Sequence, residues 1–149
     1  MKDEIVSFDV AVLAKKVGFD IETLYFYTKP NSKMFGIDEK GRSYSIKNIS
    51  KKLYNCGDYA TLNEKNVYYA PTQSLLQRYL REVHNCHIYV EPWWDTEDTD
   101  IEDKPEYVAW VVYKHLDEDE LPVYYNTYEE ALETGLLEAL EWIKSESLD

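Results

Sequence analysis

The chain has 149 residues, and its 16 Lys and Arg against 29 Asp and Glu give a formal net charge of −13. The charge is unevenly spread, because residues 1–66 carry 11 basic and 9 acidic side chains (net +2) and residues 67–149 carry 5 and 20 (net −15). This balance argues against unaided binding to nucleic acid, which needs clustered Lys and Arg to displace counterions from phosphates.

The length suits a single domain, residues 1–149, made of a mildly basic portion (1–66) and an acidic portion (67–149). The first residues hold no apolar run of the kind a secretion signal needs, and no segment approaches the ~20 apolar residues of a membrane span. We therefore expect a cytoplasmic protein without a membrane partner. Cys56 and Cys86 are then expected to remain thiols.

The N-terminal portion is predicted to hold one helix and short strands. Ser7 is a suitable N-cap and Gly18 a suitable stop for the helix. Residues 23–28 are rich in aromatic and β-branched side chains, which indicates a strand, and residues 29–42 are typical of a turn region. Within residues 43–69, the side chains that fit a further short strand are Tyr44, Ile46 and Ile49.

The C-terminal portion begins with a predicted helix that Thr72 caps and Asn85 ends. Its apolar stripe consists of Leu75, Leu76, Tyr79, Leu80 and Val83. Strands are predicted at residues 87–91, 107–115 and 122–125, the second of them at the sheet centre because it is apolar on both faces. Residues 95–104 and 117–120 are predicted to form acidic turns.

A last helix is predicted to begin at Thr127, because Thr127 and Glu130 have the T-x-x-E spacing of a capping box. Gly135 lies inside this helix, costs about 1 kcal/mol relative to Ala, and permits a close approach to the sheet. The order helix, three strands, helix predicts an α+β fold in which an antiparallel three-stranded sheet carries both helices on one face. An N-terminal helix and short strands complete it.

This element order resembles the double-stranded RNA binding domain, with PTQSLLQRYLREVHN at the place of that family's first helix. In that family a basic cluster at the start of the last helix grips phosphates. Here the corresponding residues are Tyr128, Glu129 and Glu130, and the carboxylates of the two glutamates would repel RNA. The resemblance therefore implies a fold and not RNA binding.

Three segments, VSFDVAVLAKKVGFD, APTQSLLQRYLREVHNCHIYV and TYEEALETGLLEALEWI, are similar to a family of small proteins carried by bacteriophages and prophages of gut bacteria. The resemblance covers about a third of the chain. It implies a setting, a phage-derived protein inside the bacterial cell, and it carries over no catalytic or binding residue.

The cluster HNCH invites a metal or nucleophile interpretation, since it holds His84, Cys86 and His87. A zinc site needs four ligands, and Cys86 and His87 are neighbours at a strand start, where successive side chains point to opposite faces. We favour a helix-end His beside a packed Cys, and predict no metal, cofactor or catalytic residue. The run DTEDTDIED, residues 95–103, lacks the Gly and the ligand spacing of a calcium loop and is predicted to be solvated.

Aromatic residues make up 15% of the chain, and Trp110 and Trp142 are predicted to lie in the core. The pair Trp93 and Trp94 is harder to bury, and exposed aromatic rings beside charges are typical of protein interfaces.

We therefore predict a non-enzymatic accessory protein that binds a basic host or phage protein through its acidic C-terminal half. The candidate binding residues are Trp93, Trp94, Asp95, Glu97, Asp98, Asp100, Glu129, Glu130 and Glu133. A sharper version is nucleic-acid mimicry, in which the acidic loops and the last helix, including Glu138 and Glu141, occupy a phosphate-binding groove.

Three alternatives remain open. The N-terminal half could bind nucleic acid through three lysines near two tyrosines, namely Lys47, Lys51 and Lys52 near Tyr44 and Tyr54. The chain could be a minor component of the virion, or a small enzyme built around His84, Cys86 and His87.

Overall fold

The computed structural model describes residues 3–28, 33–37, 43–45, 67–94, 104–114, 119–120 and 123–147. The chain divides into two compact units: the N-terminal unit, Ile5–Pro71, and the C-terminal unit, which joins Met1–Glu4 to Thr72–Asp149. Its helices and strands confirm the predicted α+β class. The boundary between the units falls at Thr72, a helix cap, and the organisation as a single domain stays a prediction.

One helix and a four-stranded antiparallel sheet make up the N-terminal unit. Helix α1 spans Phe8–Lys16, and the hydroxyl of Ser7 accepts a hydrogen bond from the Val10 N–H at 3.4 Å, as the predicted N-cap requires. The predicted stop, Gly18, has a φ of 99°, which favours glycine. The strands, in the spatial order β3-β2-β1-β4, are β1 (Tyr25–Thr28), β2 (Lys33–Ile37), β3 (Ser43–Ser45) and β4 (Val67–Tyr69).

Strand β2 lies within residues 29–42, for which the local pattern predicts a turn region, and that prediction is wrong for residues 33–37. Met34 and Phe35 are paired with Tyr27 and Phe26 of β1 in an antiparallel register. Such pairing depends on the facing strand, which local turn signals do not report.

Aromatic rings hold α1 against this sheet. The ring of Phe8 meets those of Tyr27 and Tyr68 edge-on, with centroid distances of 5.6 and 5.7 Å. The Tyr27 hydroxyl donates to the Val6 carbonyl at 2.7 Å, and the Lys15 ammonium donates to the Val67 carbonyl at 2.7 Å. These rings and this lysine therefore serve the fold of the N-terminal unit.

The C-terminal unit has the predicted order of helix, three antiparallel strands and helix. Its elements are α2 (Gln73–His84), β5 (Cys86–Trp93), β6 (Glu106–Tyr113), β7 (Asp119–Glu120) and α3 (Tyr128–Glu146). The Thr72 and Thr127 hydroxyls cap the helices by accepting from the N–H groups of Leu75 at 3.3 Å and Glu130 at 3.2 Å. Asn85, with a φ of 52°, ends α2 in the left-handed conformation as predicted.

Two details of this unit differ from the sequence predictions. Residues 119–120, expected in an acidic turn, pair with β6, while residues 123–124 lie outside any strand and Tyr125 makes a single bridge to Tyr107. Lys114, directly after β6, has the positive φ of 54° that is common in turns, and residues 119–120 pair antiparallel with Val111 and Trp110, a long-range pairing that the local acidic pattern does not report. Val83, expected on the buried stripe of α2, is 59% exposed, since the helix ends one residue later.

The helices cover one face of the sheet β5-β6-β7. Five side chains of this face are fully or almost fully buried: Cys86, Ile88, Ala109, Val111 and Tyr113. A Cβ added at Gly135 of α3 would lie 2.8 Å from Cγ2 of Ile88 and 3.3 Å from Cβ of Ala109. Gly135 therefore permits the close helix approach that the sequence predicts, and β6 is the central strand as predicted.

Candidate interaction surface

The second face of this sheet carries the alternate residues of β5 and β6, and we call it the open face. The register places His87, Tyr89, Glu91 and Trp93 opposite Val112, Trp110, Val108 and Glu106. Val108 is buried, whereas His87, Glu91, Trp93 and Glu106 are exposed and Tyr89, Trp110 and Val112 are partly exposed. The face thus combines aromatic rings with two carboxylates and holds no Lys or Arg from either strand.

The centre of the open face is a cluster of Tyr89, Glu91 and Trp110. The rings of Tyr89 and Trp110 are parallel, with an interplanar angle of 7° and a centroid distance of 6.1 Å. The indole N–H of Trp110 donates to the carboxylate of Glu91 at 3.0 Å. This bond satisfies the one donor of the indole and fixes a negative charge at the edge of the ring pair.

Trp110 corrects a sequence prediction, since the core was expected to contain it. A strand that is apolar on both faces does not reveal which face the helices cover, and α3 packs against Ala109 and Val111 instead. Trp142 of α3 is partly exposed and donates its indole N–H to Glu138 at 2.9 Å. Tyr89, Glu91 and Trp110 were missed as site residues, although the strict alternation along residues 87–91 already placed Tyr89 and Glu91 on one face.

Trp93 and Trp94 lie at one end of the sheet and are 54% and 53% exposed, in agreement with the prediction that this pair is not buried whole. The ring of Trp93 contacts that of Tyr124, which is 40% exposed, at a centroid distance of 5.9 Å. Tyr124 was also missed, because its contact depends on how the chain returns after β7. Large apolar surface of this kind is what binding sites expose.

The acidic residues that were predicted to bind a partner fall into three groups in the structure. Glu129 and Glu130 are exposed in the first turn of α3, where the helix dipole favours negative charge. Glu133 is partly buried and accepts a hydrogen bond from the Gln73 side chain at 2.9 Å, so it helps to join α3 to α2. Asp95, Glu97, Asp98 and Asp100 lie outside the described residues.

The N-termini of α2 and α3 border a groove with a volume of about 670 Å³. Its lining includes Glu4, Ser74, Tyr107, Tyr128 and Glu129. Gln73, only 4% exposed, closes its floor by donating to the Glu129 carbonyl at 3.0 Å as well as to Glu133. The polar groups at this floor are thus already engaged within the fold.

The cluster HNCH is split by the strand that follows α2. Cys86 is buried on the helix-covered face, whereas His87 is exposed on the open face, as the alternation predicts. Burial raises the pKa of the Cys86 thiol to about 12, so a nucleophilic thiolate is not populated at neutral pH. Within the described part of the chain, no three His, Cys, Asp or Glu side chains come together as metal ligands.

The free edge of β5 is partly blocked. The side-chain amide of Gln77 in α2 donates to the Ile88 carbonyl at 2.6 Å, so the backbone groups of Ile88 point away from β6. Because this direction alternates along a strand, the backbone groups of residues 86, 90 and 92 point away from β6 as well. Pro92 belongs to this set and has no N–H to offer. A partner is therefore poorly placed to extend the sheet along β5, and the side chains of the open face are the better contact surface.

The lysines of the alternative nucleic-acid site, Lys47, Lys51 and Lys52, lie outside the described residues, as does Tyr54. Tyr44 lies in β3. No helix in the described ranges has the length and apolar character needed to cross a membrane. Searches against protein-family models, curated proteins and solved structures give no match to this chain.

Proposed function

We propose that this chain is a non-enzymatic binding module that recognises a basic protein through the open face of its C-terminal unit. The observation that carries the proposal is the combination of partly exposed aromatic rings with Glu91 and Glu106 on a sheet face that the helices leave uncovered. Aromatic side chains supply much of the binding energy of protein interfaces, and complementary charge speeds association.

The overall charge supports a basic partner. Residues 67–149 have a net charge of −15, which attracts a positively charged protein and repels nucleic acid and a second copy of the chain. The resemblance of three segments to phage-borne proteins supports a setting in an infected or lysogenic bacterium, where the partner would be a host or phage protein.

The test is affinity capture from phage-infected bacterial lysate at about 50 mM and about 500 mM salt, a range over which exposed charge contacts become screened. The bait is compared with a Trp93→Ser/Tyr124→Ser double variant, which removes exposed rings from the proposed surface. Leu24→Ser is the matched control, because Leu24 is a 68% exposed apolar residue of the N-terminal unit. We expect a basic protein that is lost in the double variant and at high salt but is retained by Leu24→Ser.

A partner that both variants retain equally would overturn the open-face proposal. Nucleic acid retained by all three baits would favour the lysine-based alternative. The mimicry version is tested separately by Glu129→Lys/Glu130→Lys, which reverses two exposed charges on α3. It predicts that this variant loses the partner, whereas the open-face proposal predicts that only the rate of association falls.

A further inference from the structure

The cluster of Tyr89, Glu91 and Trp110 has the chemistry of a site for a guanidinium group. We infer that the open face recognises its partner through an arginine side chain, which stacks on the parallel rings of Tyr89 and Trp110 and pairs with the carboxylate of Glu91. This inference rests on the proposed function, and it specifies the group that the partner must present.

The ring pair provides the stacking surface. Tyr89 and Trp110 occupy directly opposed positions of β5 and β6, and their rings are stacked on each other, parallel within 7° at a centroid distance of 6.1 Å. The outer face of this ring stack is the surface that a guanidinium would meet. A guanidinium is planar and weakly hydrated, and it stacks favourably on the face of Trp or Tyr. The ammonium of lysine is a compact, strongly hydrated charge and gains less from such a surface.

Glu91 provides the charge at the correct place. One of its carboxylate oxygens accepts the indole N–H of Trp110 at 3.0 Å, which holds the carboxylate beside the ring. An ionised carboxylate has about four acceptor sites, so it can take a second, charge-assisted donor while keeping this bond. Arginine presents several N–H groups in a fixed plane and can therefore stack on the ring and bind the carboxylate at once.

Other partners fit these observations less well. A second copy of the chain would bring a further net charge of −13. A nucleic acid would also stack on the rings, but its phosphates would meet Glu91 and Glu106 instead of Lys or Arg. A strand added at the β5 edge would meet the Gln77 side chain and Pro92. An arginine-bearing protein segment avoids all three conflicts.

The chain contains a matched control for Glu91. Glu138 accepts the indole N–H of Trp142 at 2.9 Å on α3, so Glu91→Gln and Glu138→Gln make the same change of charge beside a tryptophan. The two variants differ in position, because only Glu91 lies beside the parallel ring pair of the open face. Any general effect of net charge on binding a cationic peptide is therefore equal in both.

The experiment is a titration of the ¹⁵N-labelled full chain with hexa-arginine and, separately, with hexa-lysine, followed through the indole N–H signals. The signal of Trp110 is assigned with Trp110→Phe. We expect hexa-arginine to shift this signal and to bind about tenfold more tightly than hexa-lysine. Glu91→Gln should remove that preference, while Glu138→Gln should preserve it, with the fold of each variant checked by circular dichroism.

Equal affinities for the two peptides, or equal losses in Glu91→Gln and Glu138→Gln, would overturn the arginine assignment. If lysate capture still depends on Trp93 and Tyr124 in that case, only the assignment fails and the open face remains the interface. If capture is also independent of those rings, the proposed function fails with it.

Discussion

Gly135 sets the distance between α3 and the sheet, and Gly135→Ala should destabilise the protein although alanine is the better helix former. A Cβ at this position would lie 2.8 Å from Cγ2 of Ile88, below any normal carbon contact, and 3.3 Å from Cβ of Ala109. The backbone fixes the position of Cβ of Ala109, and the Ile88 side chain is buried and β-branched, so it has little room to adopt another rotamer. Overpacking of this kind costs about 1–3 kcal/mol, and the gain in helix propensity offsets about 1 kcal/mol.

The expected net loss is about 1 kcal/mol in the free energy of unfolding, measured by urea denaturation with tryptophan fluorescence. The decisive measurement is a double-mutant cycle with Ile88→Ala, which removes the contacted methyl. In that background Gly135→Ala should become neutral or stabilising, so that the coupling energy exceeds the ~0.5 kcal/mol scatter of independent sites. Glu141→Ala, an exposed change on the same helix, gives the baseline. Gly135→Ala that stabilises the otherwise unchanged protein would refute the close approach of α3.

Three further predictions concern the helix junction, a cap and the buried thiol. Gln73→Leu removes the buried side-chain amide that donates to the Glu133 carboxylate, and the free energy of unfolding should fall by about 2 kcal/mol. The measurement is urea denaturation, and an unchanged midpoint would contradict this prediction. Thr127→Ala should cost about 1 kcal/mol, whereas Thr127→Ser should restore most of it. In a Cys56→Ser background the folded protein should react slowly with a thiol reagent at about pH 8, and fast labelling would contradict the burial of Cys86. Because burial raises the pKa of Cys86 from 9.0 to about 12, this thiol's contribution to stability is complete below pH 9.0 and is lost as the pH rises toward 12.

The features that the sequence predicts correctly are mainly local. Ser7, Thr72 and Thr127 act as N-caps and Asn85 as a left-handed helix end, because each role depends on a side chain and a few neighbouring backbone groups. Gly135 is a partial exception. Its position in the helix is local information, and the reason for it, contact with Ile88, appears only when the sheet is in place.

Apart from Val83, which is exposed because α2 ends beside it, the wrong predictions concern contacts between residues that are distant in the sequence. The short strand at residues 119–120 consists of two acids with low strand propensity, and only its register against Trp110 and Val111 makes it a strand. Trp110 was assigned to the core because its strand is apolar on both sides. Its role on the open face depends on which side α3 covers, and a one-residue shift of register would exchange the two faces.

The acids of α3 are candidate site residues that the sequence alone suggests, whereas Glu91 becomes a candidate only through contacts between distant residues. Counting acids in the sequence favours α3, yet Glu133 is bound by Gln73, and Glu129 and Glu130 are favoured in the first turn by the helix dipole, so this charge already stabilises the fold. Glu91 is one carboxylate among many in the sequence. It becomes the stronger candidate because the strand register places it beside the parallel rings of Tyr89 and Trp110, where a bound cation would gain stacking as well as charge. For this protein, the net charge therefore indicates the sign of the partner's charge, and the side-chain geometry of the open face indicates which chemical group of the partner is bound.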